Sequence, residues 1–258
     1  YNSALGAFEI LSNVPGPFNI GIGTGSTTDF FTKEFLPNIK NSLTDIYSSS
    51  IRTTNLLNEL GFVVKELGED SIVDFYIDGA DEVDKTLALI KGGGGAHTSE
   101  KRIAKKAKKF ICIVDETKIV SDLGEFPLPI EIQDSHKKQI IESLKNLTNK
   151  ITVREYKSDL NNTIIDLHHL VINNPDALEA DILSIKGVID VGIFAVDRPN
   201  IVIVGQDSGY RLIESWIAAR ISGSSGSILW EKLFISPFGV IKYLWKFHAG
   251  LAYVFLNS

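Results

Sequence analysis

Short apolar runs rich in β-branched and aromatic residues recur along the first half of the chain, separated by stretches whose apolar residues fall at helical spacing. Phe18–Ile22, Leu43–Ser48 and residues 62–67, 72–77 and 110–114 read as strands on that pattern. Between them, residues 4–13, a segment opening near Thr27 or Thr28 and carrying Phe30, Phe31, Phe35 and Leu36, residues 53–60 and residues 99–109 read as helices. In the last of these Glu100 falls in the first turn and lysines toward the end, as the helix dipole favours. Strands alternating with helices predict a parallel or mostly parallel sheet.

The rhythm changes at Phe126-Pro127-Leu128-Pro129. A helix over 136–147, strands over 151–156 and 163–167 joined by a polar turn, a helix over 176–184 and a strand over 188–194 follow. That order suggests a small ferredoxin-like α+β domain. Residues 201–204 are expected to return to the first sheet. The expected fold class is therefore α/β: a Rossmann-like, mostly parallel sheet domain (1–125 plus 198–215) with a second, smaller α+β domain (126–197). Residues 216–258 form an extension of unassigned role, with a linker-like stretch at 222–227 and an aromatic, apolar stretch at 228–256 interrupted by Glu231, Lys232, Lys242 and Lys246. Three readings stay open for it: a packing or interface element, a disordered or non-native extension, or a membrane-surface element. No run there reaches the roughly 18 to 20 apolar residues of a spanning helix, so a membrane role is not expected.

Composition narrows the function. With 258 residues, 44% hydrophobic and 22% charged, the chain is long enough to bury a core. A net charge of −6 argues against a nucleic-acid surface, so any phosphate must be held locally. Cys112 is the only cysteine and lies in an apolar run, which excludes an intrachain disulfide and fits a reducing, cytoplasmic setting. No basic leader followed by an apolar stretch opens the chain, and the absence of methionine leaves its natural start open. The five histidines lack metal-ligand spacing, so neither metal nor cofactor is expected.

The candidate chemistry is concentrated in two glycine-rich turns. Gly21-Ile22-Gly23-Thr24-Gly25-Ser26-Thr27 lies between a strand and a helix, where backbone N–H groups and the helix N-terminus suit a phosphate. It is no Walker A loop, and Ser26 stands where a dinucleotide fingerprint needs its third glycine; a tight turn without a ligand is the alternative. Asp78 and Asp81 emerge at the carboxyl end of the 72–77 strand, the edge where open α/β sheets bind ligands. Alone they could be solvated turn residues. Lys91 followed by Gly92, Gly93, Gly94 and Gly95, with Glu100 soon after, makes a proton-transfer site the stronger reading, because a glycine run usually persists where backbone must approach a ligand. His97 borders that pocket or sits on the loop surface, and the basic stretch 101–109 reads as the solvated face of a helix.

Together these motifs resemble the type A ribose-5-phosphate isomerases. The likeness is carried by Gly21 to Thr27, Ser48-Ser49-Ser50, Asp78-Gly79-Ala80-Asp81-Glu82, Lys91-Gly92-Gly93-Gly94, Thr98-Ser99-Glu100-Lys101, residues 109–118 and Phe126-Pro127-Leu128-Pro129, and spans about residues 4–213. It implies metal-independent interconversion of ribose 5-phosphate and ribulose 5-phosphate in the pentose phosphate pathway by a homodimer or homotetramer. Asp78, Asp81, Lys91 and Glu100 then fall on the family's catalytic residues, Thr24, Gly25, Ser26 and Thr27 on its phosphate loop, Gly92 to Gly94 on its glycine loop and Lys118 on a further substrate contact. Three features depart from the family: Asn2-Ser3 stands where a phosphate-holding lysine is usual, the family ends close to residue 213 so the tail has no counterpart, and Gly95 and His97 replace the common Ala and Leu.

Moving a carbonyl from C1 to C2 requires a base and stabilisation of an enediolate oxyanion. Glu100 is the expected base, Lys91 and the Gly92 to Gly94 N–H groups the oxyanion stabilisers, and Asp78 and Asp81 the groups for ring opening and hydroxyl protons. A non-catalytic sugar-phosphate sensor would keep the phosphate turn and could discard the base. A coenzyme A transferase or aminosugar-phosphate deaminase would share the glycine turns but fits Lys91 and Glu100 less well.

Overall fold

The computed structural model describes residues 1–214, 229–236 and 239–246. Six strands form the principal sheet, in the order β13-β12-β6-β3-β1-β2: β1 (Phe18–Ile22), β2 (Leu43–Ser48), β3 (Val73–Asp78), β6 (Ala107–Asp115), β12 (Ile201–Gln206) and β13 (Gly209–Glu214). All neighbours run parallel except the β12–β13 hairpin. Burial on both faces explains why β6 and β12 read as unbroken apolar runs. Helices α1 (Asn2–Ser12), α2 (Ser26–Glu34), α3 (Ile51–Glu59) and α4 (His97–Lys106) are interleaved with these strands.

Because β1 is flanked by β2 on one side and β3 on the other, the chain reverses its direction of travel across the sheet at the β1/β3 boundary. Ligands of open α/β sheets bind at such a point, beyond the carboxyl ends of the strands. Along that edge lie the turn after Ile22, Ser48 to Ser50, the Asp78 to Asp81 segment and the 3-10 turn Glu116–Lys118.

A second, antiparallel sheet has the order β10-β7-β9-β8, from β7 (Leu128–Ile132), β8 (Ile151–Lys157), β9 (Thr163–Leu167) and β10 (Val188–Val191). With α5 (Lys137–Leu144) and α6 (Pro175–Leu183) it gives the βαββαβ order of a ferredoxin-like unit. A three-stranded antiparallel sheet joins β4 (Glu82–Val83), β5 (Leu89–Ile90) and β11 (Ile193–Phe194). Gly192 breaks the apolar run expected as one strand over 188–194: its N–H donates to Pro129 O and its carbonyl accepts from Lys91 N–H, both at 2.8 Å, which ties Lys91 to β7.

Other boundaries also moved. The expected strand at 62–67 is a single bridge, Ile46 to Val64; Phe62 is buried and Leu67 partly so, while Val63 between them is 80% exposed. The helix expected to run to 109 ends at Lys106, where β6 begins and pairs Ala107 with Val73. Helix α5 is shorter than 136–147 and is preceded by a 3-10 turn.

Residues 216–258 form a separate compact unit, whose described part is an antiparallel hairpin of β14 (Leu229–Ser236) and β15 (Gly239–Lys246). The linker-like stretch at 222–227 lies outside the described residues. Among the described residues no helix is long and apolar enough to cross a membrane.

Candidate active site

Register places the chemistry. β3 ends at Asp78, which is fully buried and pairs with Cys112 of β6, and Gly23 N–H donates to Ile77 O at 2.8 Å, so the first glycine turn lies directly against Asp78. A methyl group at Gly23 would stand 1.9 Å from the Asp78 carboxylate, which makes glycine obligatory there. The carboxylate is closely held: Oδ1 accepts from Thr24 N–H (3.1 Å) and Gly79 N–H (2.7 Å), and Oδ2 accepts from the Tyr76 hydroxyl and forms an ion pair with Lys91 Nζ (2.8 Å).

Lys91 follows β5 and is 2% exposed. Its ammonium donates to Gly79 O at 2.6 Å and lies against two carboxylates as ion pairs, Asp78 Oδ2 at 2.8 Å and Glu100 Oε2 at 3.2 Å. Burial opposes its charge, but Asp78 and Glu100 outweigh that and hold its pKa above the ordinary lysine value. The Phe194 ring lies beneath the ammonium, 5.6 Å from Nζ.

Glu100, in the first turn of α4, is the exception. Its Oε2 approaches Lys91 without an aligned hydrogen bond and has no hydrogen-bond partner among the described residues. Burial, then repulsion from Asp78, push its carboxyl from the ordinary 4.5 up to about 8 against the pull of Lys91. A carboxyl poised near neutrality with an unmatched oxygen is suited to exchanging a proton.

The remaining expected residues surround this centre. Asp81, half-buried, accepts from Gly93 N–H at 2.9 Å and so joins the carboxyl edge to the second glycine turn. Gly92 adopts φ of +101°, and a side chain there would collide with His97 and Pro129. Gly94 is exposed and faces Thr24, whose Cγ2 is 3.8 Å from the position a Gly94 Cβ would take. The two glycine turns therefore face each other across the site. Gly25 caps α2 without a side-chain hydrogen bond, leaving the first-turn N–H groups at Ser26 and Thr27 open to an anion. Lys118 ends the 3-10 turn beyond β6, on the same sheet edge, and contacts none of Asp78, Lys91 or Glu100 among the described residues. Asn2, at the position where the resemblance expects a cation, donates to Gln206 O at 2.5 Å.

Two expectations are corrected. His97 is not on the loop surface: it is fully buried against Gly92, both ring nitrogens lack hydrogen-bond partners among the described residues, and burial followed by repulsion from Lys101 and Arg154 lowers its pKa to about 3. Lys101 is not part of a solvated face. Its ammonium is 1% exposed and pairs with Glu179 (2.8 Å) and Asp190 (2.9 Å).

Thr53 and Tyr76 lie outside the motifs of the sequence, whereas Ser49 and Ser50 belong to the Ser48-Ser49-Ser50 motif without an assigned role. Thr24 Oγ1 is ringed by the hydroxyls of Ser49 (2.8 Å), Ser50 (2.7 Å) and Thr53 (3.3 Å), which lock the turn, and Ser50 also caps α3. Tyr76 lies two residues before Asp78, on the same strand face, so strand period alone could have found it.

Comparison with known proteins identifies the family and the fold. The profile of ribose 5-phosphate isomerase A (phosphoriboisomerase A) matches residues 46–209. A ribose-5-phosphate isomerase A of Neisseria meningitidis serogroup C is 40% identical over 210 residues, covering 81% of this chain and 94% of that protein. The crystal structure of ribose 5 phosphate isomerase A from Neisseria gonorrhoeae superposes with a TM-score of 0.78 at 39% identity, covering 83% of this chain and 96% of the other. A D-ribose-5-phosphate isomerase solved in complex with phospho-erythronic acid gives a TM-score of 0.75 at 37% identity, covering 82% and 97%.

Proposed function

Since the chain belongs to the ribose 5-phosphate isomerase A family and interconverts ribose 5-phosphate and ribulose 5-phosphate, we propose that Glu100 is the base that carries the proton between C1 and C2. The observation that supports this is the inequality of the two buried carboxyls beside Lys91: Asp78 accepts hydrogen bonds from Thr24, Gly79 and Tyr76, whereas Glu100 keeps an oxygen without a hydrogen bond and a raised pKa. Lys91 then acts on the enediolate mainly as a fixed positive charge. A direct hydrogen bond to the oxyanion comes from the Gly94 N–H, Gly93 N–H being taken by Asp81, and one preorganised donor is worth about 3 to 4 kcal/mol.

Asp81, partly open to the cleft, handles ring opening and hydroxyl protons together with Asp78, whose further task is to anchor Lys91. The phosphate rests on Thr24, Gly25, Ser26 and Thr27 at the start of α2, with Lys118 as an additional contact. The phospho-erythronic acid held by the related enzyme has the charge expected of a ligand for such a site. Assembly as a homodimer or homotetramer, a cytoplasmic setting compatible with the single buried Cys112, and residues 126–197 as a distinct domain complete the reading.

Turnover of ribose 5-phosphate in the presence of a chelator, by wild type and by Glu100→Gln, tests the assignment. Glu100→Gln is expected to bind the sugar phosphate while turning over about a hundred to ten thousand times more slowly. Near-normal turnover would remove Glu100 from the base role, and equal rates on unphosphorylated ribose would remove the phosphate turn from binding.

A further inference from the structure

Arg154 lies on β8 of the four-stranded sheet, outside every motif of the sequence, yet its guanidinium reaches the second glycine turn. Nη1 donates to Gly92 O at 2.9 Å and to Gly93 O at 3.2 Å. Nε and Nη2 form a two-pronged pair with Asp166 of β9 at 2.8 and 2.7 Å, which fixes the plane of the guanidinium. The Tyr156 hydroxyl donates to Gly93 O at 3.3 Å.

A trans peptide is planar, so its carbonyl and its N–H point in opposite directions. Fixing Gly92 O toward Arg154 turns the Gly93 N–H the other way, and that N–H is the one that meets Asp81 Oδ2 at 2.9 Å. By the same geometry, fixing Gly93 O turns the Gly94 N–H away from Arg154. Within the run, Gly95 N–H closes a turn onto Gly92 O at 2.9 Å, but glycine has no side chain to fix the Gly93 carbonyl, which Arg154 and Tyr156 hold.

We infer that Arg154, held by Asp166, is a positioning residue for the isomerisation: it turns the Gly93 N–H onto Asp81 and the Gly94 N–H toward the cleft where the enediolate forms. The inference rests on the proposed oxyanion role of that loop. Arg154 itself touches no reacting atom. Its guanidinium borders an open cavity of about 470 Å³ lined by Gly93, Phe126, Pro127, Tyr156 and Asp166, which leaves a path for a small cation from solvent.

Steady-state kinetics of the full chain with ribose 5-phosphate test this. Arg154→Ala should lower kcat by about a hundredfold, the scale of an ångström-sized misplacement, with KM held within about threefold. Millimolar guanidinium should then restore part of kcat by refilling the cavity. An unchanged kcat, a loss confined to KM, or a kcat that guanidinium does not raise would overturn the inference. If Arg154→Ala does not fold, Arg154→Lys gives the same reading: it keeps the charge but not the fork, so kcat should fall about tenfold at constant KM, and a wild-type kcat would overturn the role. Glu100→Gln separates the two levels. Near-normal turnover there breaks the underlying site assignment, whereas an inactive Glu100→Gln beside a fully active Arg154→Ala breaks only the inference about Arg154.

Discussion

Lys91 and Lys101 each sit buried between two carboxylates, and the consecutive residues Glu100 and Lys101 give helix α4 a part in both clusters. The two ammonium groups even share one aromatic neighbour, Phe194, at 5.6 and 4.9 Å from its centroid. What separates them is how completely the carboxylates are matched. Around Lys101, Glu179 Oε1 takes the ammonium while Oε2 accepts from Ala195 and Val196 N–H, and Asp190 Oδ1 accepts from Val191 N–H. Lys101 adds the carbonyls of Val191 and Ile193, both at 2.7 Å. Around Lys91 the Glu100 carboxyl is left with an unpartnered oxygen. A satisfied buried network is rigid; an incompletely satisfied one retains chemical potential to move a proton.

That contrast predicts reciprocal failures. Glu100→Gln should remove about three orders of magnitude of turnover without loss of thermal stability, measured by coupled assay and calorimetry. Lys101→Met should do the opposite kind of harm, costing about 3 to 5 kcal/mol in denaturant unfolding because two buried carboxylates lose their counter-charge. If Lys101→Met folds with wild-type stability but lacks activity, the division of labour between the clusters is wrong.

The pH dependence sharpens the same comparison. Only ionised Glu100 can accept a proton, so kcat/KM should climb about tenfold per pH unit below the shifted value near 8 and level off above it; in Glu100→Gln this limb should disappear. The stability effect has the opposite sign. A carboxyl raised in the folded state favours folding below about 4.5, and that advantage is lost as pH rises through about 8, so Glu100→Gln should gain on wild type in melting temperature at the alkaline end. Equal pH profiles of melting for the two proteins would contradict the shift.

Smaller effects probe the supports. Tyr76→Phe removes one of four contacts to Asp78 and should reduce kcat by a free energy of about 1.5 to 3 kcal/mol, the worth of a hydrogen bond to a charged group, with KM little changed. His97→Leu removes a buried ring with two unpartnered nitrogens and should raise stability by about 1 kcal/mol in urea unfolding. The lowered pKa of His97 means its neutral form favours folding above about 6.5, and this is lost as pH falls toward about 3, so the gain from leucine should widen in acid.

Much of this was legible because it is local. Parallel strands buried on both faces read as continuous apolar runs, as in residues 110–114, and a carboxylate at the end of such a run must emerge at the binding edge. Asp78, Lys91 and Glu100 could thus be picked out before their side chains were seen to meet. Lys101 could not, since a charged run on a helix ordinarily faces solvent and its partners lie 78 to 92 residues away. Arg154 was equally opaque, because its contacts are backbone carbonyls 61 and 62 positions earlier that carry no side-chain signal. Residues 62–67 mimic a strand in composition, yet only the bridge at Val64 forms, a decision made by the exposed edge of β2 rather than by propensity.

Lys101 has a mechanical corollary. One residue of rotation about a helix axis is about 100°, so a helix bolted to β10 and β11 through Lys101 cannot swivel to bring its neighbour, Glu100, toward a bound sugar. The carboxyl is a fixed post. With Glu100 as the proposed base, rotation of α4 is not the means by which base and sugar meet.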